Sequence, residues 1–193
     1  MQSTVIAVQP TWEPVSLAEA KAHCRVDIND DDMLIGGLIT AARQHIELIG
    51  WVTLPQQTID LWLEDGFCDD EIELPRPPAI SVTHVKYYDT ADTEYTLSTS
   101  VYYANVISKP AEVHLKYGQQ WPAVNLRDYN AINVRYVAGY ATPEAIPQRY
   151  KQAILLLVGH WYENRESAIS GTISREIDFS VTALVRADRV FQY

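Results

Sequence analysis

The residues best suited to chemistry form a short acidic run, Asp27-Ile28-Asn29-Asp30-Asp31-Asp32. Oxygen side chains at alternate positions can converge on a hard cation, and this run begins as a calcium loop does. The match then stops. The sixth position, which needs glycine, holds Asp32, and the twelfth, which needs a bidentate carboxylate, holds Leu38. The run is read instead as the solvated start of a helix, where carboxylates face the positive end of the helix dipole. His23, His45, His84, His114 and His160 are spread over different elements and read as half-exposed structural residues. Ser170-Gly171 has no GxSxG frame around it. Asp69-Asp70-Glu71 would suit glycoside hydrolysis only if two carboxylates met in space. Neither GxGxxG nor GxxxxGK[ST] is present to cradle phosphate. The expectation is no catalytic residue, no cofactor and no metal.

Aromatic residues are plentiful, with 12 tyrosines and five tryptophans. Many fall in the middle of the chain: Trp62, Tyr87, Tyr88, Tyr102, Tyr103, Tyr117 and Trp121. Such rings can stack on sugars or bases, form strands, or anchor interfaces. The net charge is −10, from 25 acidic against 15 basic residues, so core and interface roles outweigh nucleic-acid stacking. At 193 residues and 47% hydrophobic, the chain suits one compact domain, or a small domain carrying an inserted one. Cys24 and Cys68 lie far apart without CxxC spacing, which indicates reduced thiols and neither a disulfide framework nor a zinc ribbon. The opening MQSTVIAVQPTWEP has no basic region leading into a long apolar one, so no secretory leader is expected. The longest apolar run, Ala153 to Val158, is too short to span a bilayer, and a soluble protein is expected.

Local signals divide the chain into helical ends and a β-rich middle. Ser16 can cap a helix, Glu19 can close a capping box, and Val15 can staple onto Ala20, so a short helix should run to about Cys24. A second helix should follow the acidic run, with Ile35, Ile39, Ala42, Ile46 and Ile49 on one face and Gly50 at its end. From Val52 the period shifts toward two, with Ile59, Leu61 and Leu63 alternating against Asp60, Trp62 and Glu64. Further strands are expected over Glu71–Leu74, Ile80–Tyr88, Thr93–Leu97, Val101–Val106, Glu112–Tyr117 and Ile132–Ala138. Helix returns after Pro143 and Pro147, over Gln148–Arg165, with Tyr150, Ile154, Leu157 and Trp161 on one stripe. Val181–Phe191 reads as a short terminal helix.

The order of these segments is itself informative. Glu13-Pro14-Val15-Ser16-Leu17-Ala18-Glu19-Ala20-Lys21, then Asp31-Asp32-Met33-Leu34-Ile35, then Ile72-Glu73-Leu74-Pro75-Arg76-Pro77-Pro78 follow one another. Val134-Arg135-Tyr136-Val137-Ala138-Gly139-Tyr140 comes next, and Lys151-Gln152-Ala153-Ile154-Leu155-Leu156-Leu157-Val158-Gly159-His160-Trp161-Tyr162-Glu163-Asn164-Arg165-Glu166 follows Pro147. Together they resemble a family of tailed-phage and prophage head–tail connector (adaptor) proteins.

The resemblance implies an α+β fold: an α-helical connector core of two N-terminal helices, a long C-terminal helix and a short terminal helix, with a β-rich insertion of six to seven strands. The expected divisions are residues 1–51, 52–142 and 143–193. It also implies a non-enzymatic homo-oligomeric ring of roughly a dozen subunits at the virion neck. The ring would dock under the portal, meet a tail-side neck protein, and extend a channel through which DNA passes without specific binding. Portal contact is expected in the C-terminal segment, where Phe179, Val181, Leu184, Val185, Val190 and Phe191 mix with Arg186 and Arg189. Two other readings stay open: a tail-completion or baseplate-type β-module, and a hydrolase with dispersed carboxylates.

Overall fold

The first helix begins where the capping box places it. Ser16 Oγ accepts the Glu19 N–H at 3.2 Å, and the Glu19 carboxylate accepts the Ser16 N–H at 2.7 Å. This exchange satisfies two backbone donors that a helix start leaves open. Helix α1 (Leu17–Cys24) ends at Arg25, whose left-handed backbone turns its N–H back to Ala22 and Lys21. In this computed structural model, residues 2–64, 66–67, 70–165 and 180–185 are described.

The chain forms two units. One comprises residues 11–55 and 140–193, the other residues 1–10 and 56–139. In the helical unit, α2 (Asp32–Gly50) and α3 (Gln148–Glu163) pack against each other and against α1. Ile35, Ile39, Ala42 and Ile46 of α2 are buried, which is the face that the near-fourfold spacing marks. They meet Tyr150, Ala153, Ile154, Leu157 and Val158 of α3, with Val15, Val52, Leu54 and Ile146 closing the core. Pro143 opens a separate 3-10 turn, Pro143–Ala145, and Pro147 stands at the N-cap of α3. Residues 180–185 are helical, while the expected remainder of the terminal helix, to Phe191, lies outside the described residues.

The same core holds a buried ion pair. Arg43 Nη1 donates to Glu47 Oε2 at 2.8 Å, one helical turn away, and its Nε donates to Glu13 Oε2 at 2.7 Å. The other oxygen of Glu47 accepts the Leu54 N–H at 2.9 Å, and Glu13 Oε1 accepts from Thr40 Oγ1 at 2.9 Å. Each charge thus has partners, the condition under which burying it is tolerable. The network ties the segment before α1 and the turn after α2 to α2 itself.

The other unit is built from two antiparallel sheets. Five strands run in the order β1 (Gln2–Val8), β2 (Gln57–Leu63), β8 (Ile132–Ala138), β4 (Ala79–Tyr88) and β5 (Glu94–Thr96). Three run in the order β3 (Glu71–Leu74), β7 (Ala111–Leu115) and β6 (Tyr102–Asn105). Alternation puts Ile59, Leu61, Ile72, Leu74, Val113, Ile132, Val134 and Tyr136 into one core. The fully buried Tyr136 donates its hydroxyl to the Pro75 carbonyl, and burial pushes its acidity far below that of a free phenol. Among the described residues there are eight strands, more than the six to seven expected. The extra strand is β1, which the division at residue 51 assigns to the helices. Its β-branched run pairs with β2 from Gln2↔Leu63 onward, so the chain starts in the β unit, and the segment between the helices is 56–139.

Candidate functional site

The acidic run at the start of α2 is bound to neighbouring helices. Asp31 Oδ2 accepts from Tyr162 Oη in the last turn of α3 at 2.6 Å and from Arg165 Nη2, just past that helix, at 2.7 Å. These donors hold its carboxyl below the usual range, the tyrosine first and the arginine second. Lys21 Nζ of α1 reaches Asp32 Oδ1 at 2.6 Å and Asn29 Oδ1 at 2.7 Å. The run therefore serves as a clasp among three helices.

The histidines have separate local duties. The His45 ring meets Trp161 edge-on, with centroids 6.2 Å apart, and His84 pairs with Asn133 at 3.1 Å. His23 lies under Gly159, and His160 pairs with Asn164 at the end of α3. His114 differs. Strand pairing sets it beside Glu71, and Glu112 shares its face of β7, so its ring lies 3.3 Å from one carboxylate and 2.7 Å from the other. Sequence reading leaves this trio unassembled because its members come together through a β-ladder; the usable signal is the i, i+2 pair Glu112 and His114 on one strand.

Across the five-stranded sheet, Asp60 of β2 faces Arg135 of β8 and takes a two-pronged bond, with both contacts 2.7 Å. That guanidinium is the main reason Asp60 is held more acidic than usual. Most aromatic side chains of the unit are engaged with one another. Phe67 stacks on Trp121 at 4.5 Å, Tyr87 on Tyr95 at 5.2 Å, and Trp62 on Tyr88 at 6.1 Å, with Arg127 lying 4.0 Å over the Tyr88 ring. Tyr102 is buried, whereas Tyr103 and Tyr117 are exposed. Glu19, Asp31, Asp60, Asp89, Glu94 and Glu144 are all held more acidic than usual.

Of the segment expected to dock on a partner, Val181 and Val185 are buried in the core of their own helical unit, and Leu184 packs partly against it. The four-residue spacing of the two valines puts both on the inward side of a helical turn. Phe179, Arg186, Arg189, Val190 and Phe191 lie outside the described residues. The helical unit does expose apolar surface elsewhere. Leu34, Gly37, Ala41, Gln44 and Leu48 form an outward stripe along α2, with Met33 and Trp51 exposed at its two ends. No helix among the described residues is long and apolar enough to cross a membrane.

Comparison with known proteins follows the fold closely. The chain superimposes along its full length on a chain in the virion of a native gene transfer agent particle, with a TM-score of 0.78, 23% identity and 97% of that chain covered. It likewise matches chains in the neck of an empty gene transfer agent particle computed with C6 symmetry (TM-score 0.76, 23% identity, 98% of that chain) and in the neck of the native particle computed with C12 symmetry (0.74, 21%, 98%). In each case all of this chain is covered. No curated protein matches it. Residues 14–117 and 123–189 match the family described as phage gp6-like head-tail connector protein, and this match, drawing on both units and nearly the whole chain, shows that the chain belongs to that family.

Proposed function

We propose that this head–tail connector is a non-enzymatic ring subunit of the virion neck, docked beneath the portal and extending the DNA channel toward the tail. The observation that carries the reading is the family match through residues 14–117 and 123–189. The neck structures with C6 and C12 symmetry support a cyclic assembly. Charge supports passage of DNA: −10 per subunit, repeated around a ring, repels phosphate instead of holding it. The outward stripe on α2 supplies apolar surface for a neighbouring subunit, as expected of a chain whose working state is an assembly. The reading places portal contact within Phe179–Tyr193, a segment in which Val181 and Val185 serve the fold.

Co-expression with the portal, followed by electron microscopy and light scattering over a wide concentration range, tests the reading. Rings should form at high concentration or on the portal. A strictly monomeric species under all these conditions would overturn it. The purified chain should also show no nuclease, glycosidase or nucleotidase turnover and only weak duplex binding at physiological salt. Metal-dependent DNA cleavage lost on mutating one specific carboxylate would count decisively against a structural role.

A further inference from the structure

The outward face of the three-stranded sheet is set out in two rows by its register. One row runs Glu71, His114, Tyr103, and the other Glu73, Glu112, Asn105. Glu73 and Glu112 therefore face each other directly, an arrangement of like charges that destabilises a strand pair. Among the described residues, neither Glu71 nor Glu112 has a lysine or arginine partner. Three carboxylates, Glu71, Glu73 and Glu112, thus share the outward face of this sheet with His114. The imidazole is held in place: Tyr103 stacks on it with centroids 5.4 Å apart and planes 17° apart, and Glu112 Oε2 lies 2.7 Å from Nε2.

The geometry points to a binding site for a divalent transition cation of the zinc class on Glu71, Glu112 and His114. One ligand atom from each residue lies within 4.8 Å of the other two. His114 Nδ1 and Glu71 Oε2 are 3.3 Å apart. Two tetrahedral ligands of Zn²⁺, each at its ordinary bond length, stand about 3.3 Å apart, so an ion fits between them with little movement. Glu112 completes the protein ligands by rotating about its side chain, and water fills what remains. A nitrogen ligand beside two carboxylates selects a borderline metal over Mg²⁺ or Ca²⁺, which favour all-oxygen sites. The ion would relieve the repulsion facing Glu73 and clip β3 to β7, making it a structural cation of the β unit and independent of the ring assignment.

The test is Zn²⁺ titration of the full-length chain by calorimetry and thermal melting, with Co²⁺ as the spectroscopic probe. One ion per chain should bind, Tm should rise by about 4 °C at saturating Zn²⁺, and Co²⁺ should give visible absorption bands. His114→Ala and, as a shape-preserving check, Glu112→Gln should each weaken binding at least about tenfold while retaining the circular dichroism of the parent. Absence of saturable Zn²⁺ binding would overturn the proposal. So would an isotherm unchanged in both variants, or a Tm rise with Mg²⁺ equal to that with Zn²⁺.

Discussion

A methyl group on residue 50 would collide with Val185: a Cβ built on Gly50 lies 2.6 Å from Val185 Cγ1 and 3.1 Å from Val52 Cγ1. Glycine is needed here for space, because the left-handed turn that ends α2 is taken by Trp51 at φ 50°. Gly50→Ala in a helix ordinarily stabilises by about 0.5–1 kcal/mol. Here overpacking outweighs that gain, and a net loss of about 1–2 kcal/mol is expected in urea melts. Val185→Ala in the same chain should remove most of the added penalty, so the two changes together should be far less than additive. Simple additivity would show that the two residues do not meet.

Truncation divides the C-terminal segment by function. Removing residues 180–193 takes Val181 and Val185 from the core, and full burial of a valine is worth about 1.5–3 kcal/mol, so this variant should lose about 3–5 kcal/mol or fail to fold. Removing only residues 186–193 should leave the melt near that of the parent and abolish co-purification with the portal. Retained portal binding by the shorter deletion would move the contact elsewhere.

The buried pair Arg43 and Glu47 makes a sharper demand on chemistry than on size. Arg43→Ala leaves Glu47 charged in a dry setting and should cost about 3–5 kcal/mol by denaturant titration. Replacing both residues by methionine should be milder than the single change, since the carboxylate that then loses its arginine is Glu13, which is 28% exposed and keeps its bond from Thr40.

Asp60 should give the β unit an acid limb. Its folded-state pKa is depressed, chiefly by Arg135, so its contribution is fully present above the unfolded value of about 4 and is lost as pH falls through the folded value. Arg135 is 41% exposed, and solvent screening limits the effect of Asp60→Asn to about 1 kcal/mol at neutral pH. Melts from pH 2 to 7 should show the parent and Asp60→Asn converging at the acid end. Parallel curves would refute the assignment.

Leu48 separates assembly from folding. It projects from α2 with 63% of its surface exposed, so Leu48→Glu should change monomer stability by less than about 0.5 kcal/mol. Ring formation on the portal should fall sharply, read by electron microscopy. Normal rings from this variant would remove the α2 stripe from the subunit contact.

Much of this protein was settled by its sequence alone. Ser16 and Glu19 mark the start of α1, the spacing of Ile35, Ile39, Ala42 and Ile46 marks the buried face of α2, and alternation from Ile59 to Leu63 marks β2. These are local facts: capping spans three residues, and a helix or strand repeats its pattern within one or two turns. The linear order of such segments also carried the connector resemblance, which the family match bears out. What the tertiary structure decided lies between distant segments. Asp60 meets Arg135 across 75 positions, β1 joins a sheet beyond two intervening helices, and Glu71 finds His114 only because β3 pairs with β7. Val181 and Val185 look equally fit for a partner or for the core, and packing against the helical unit chose the core. Periodicity states which side of an element is apolar. Which surface covers that side depends on the free energy of the whole packed arrangement, and no local spacing encodes it.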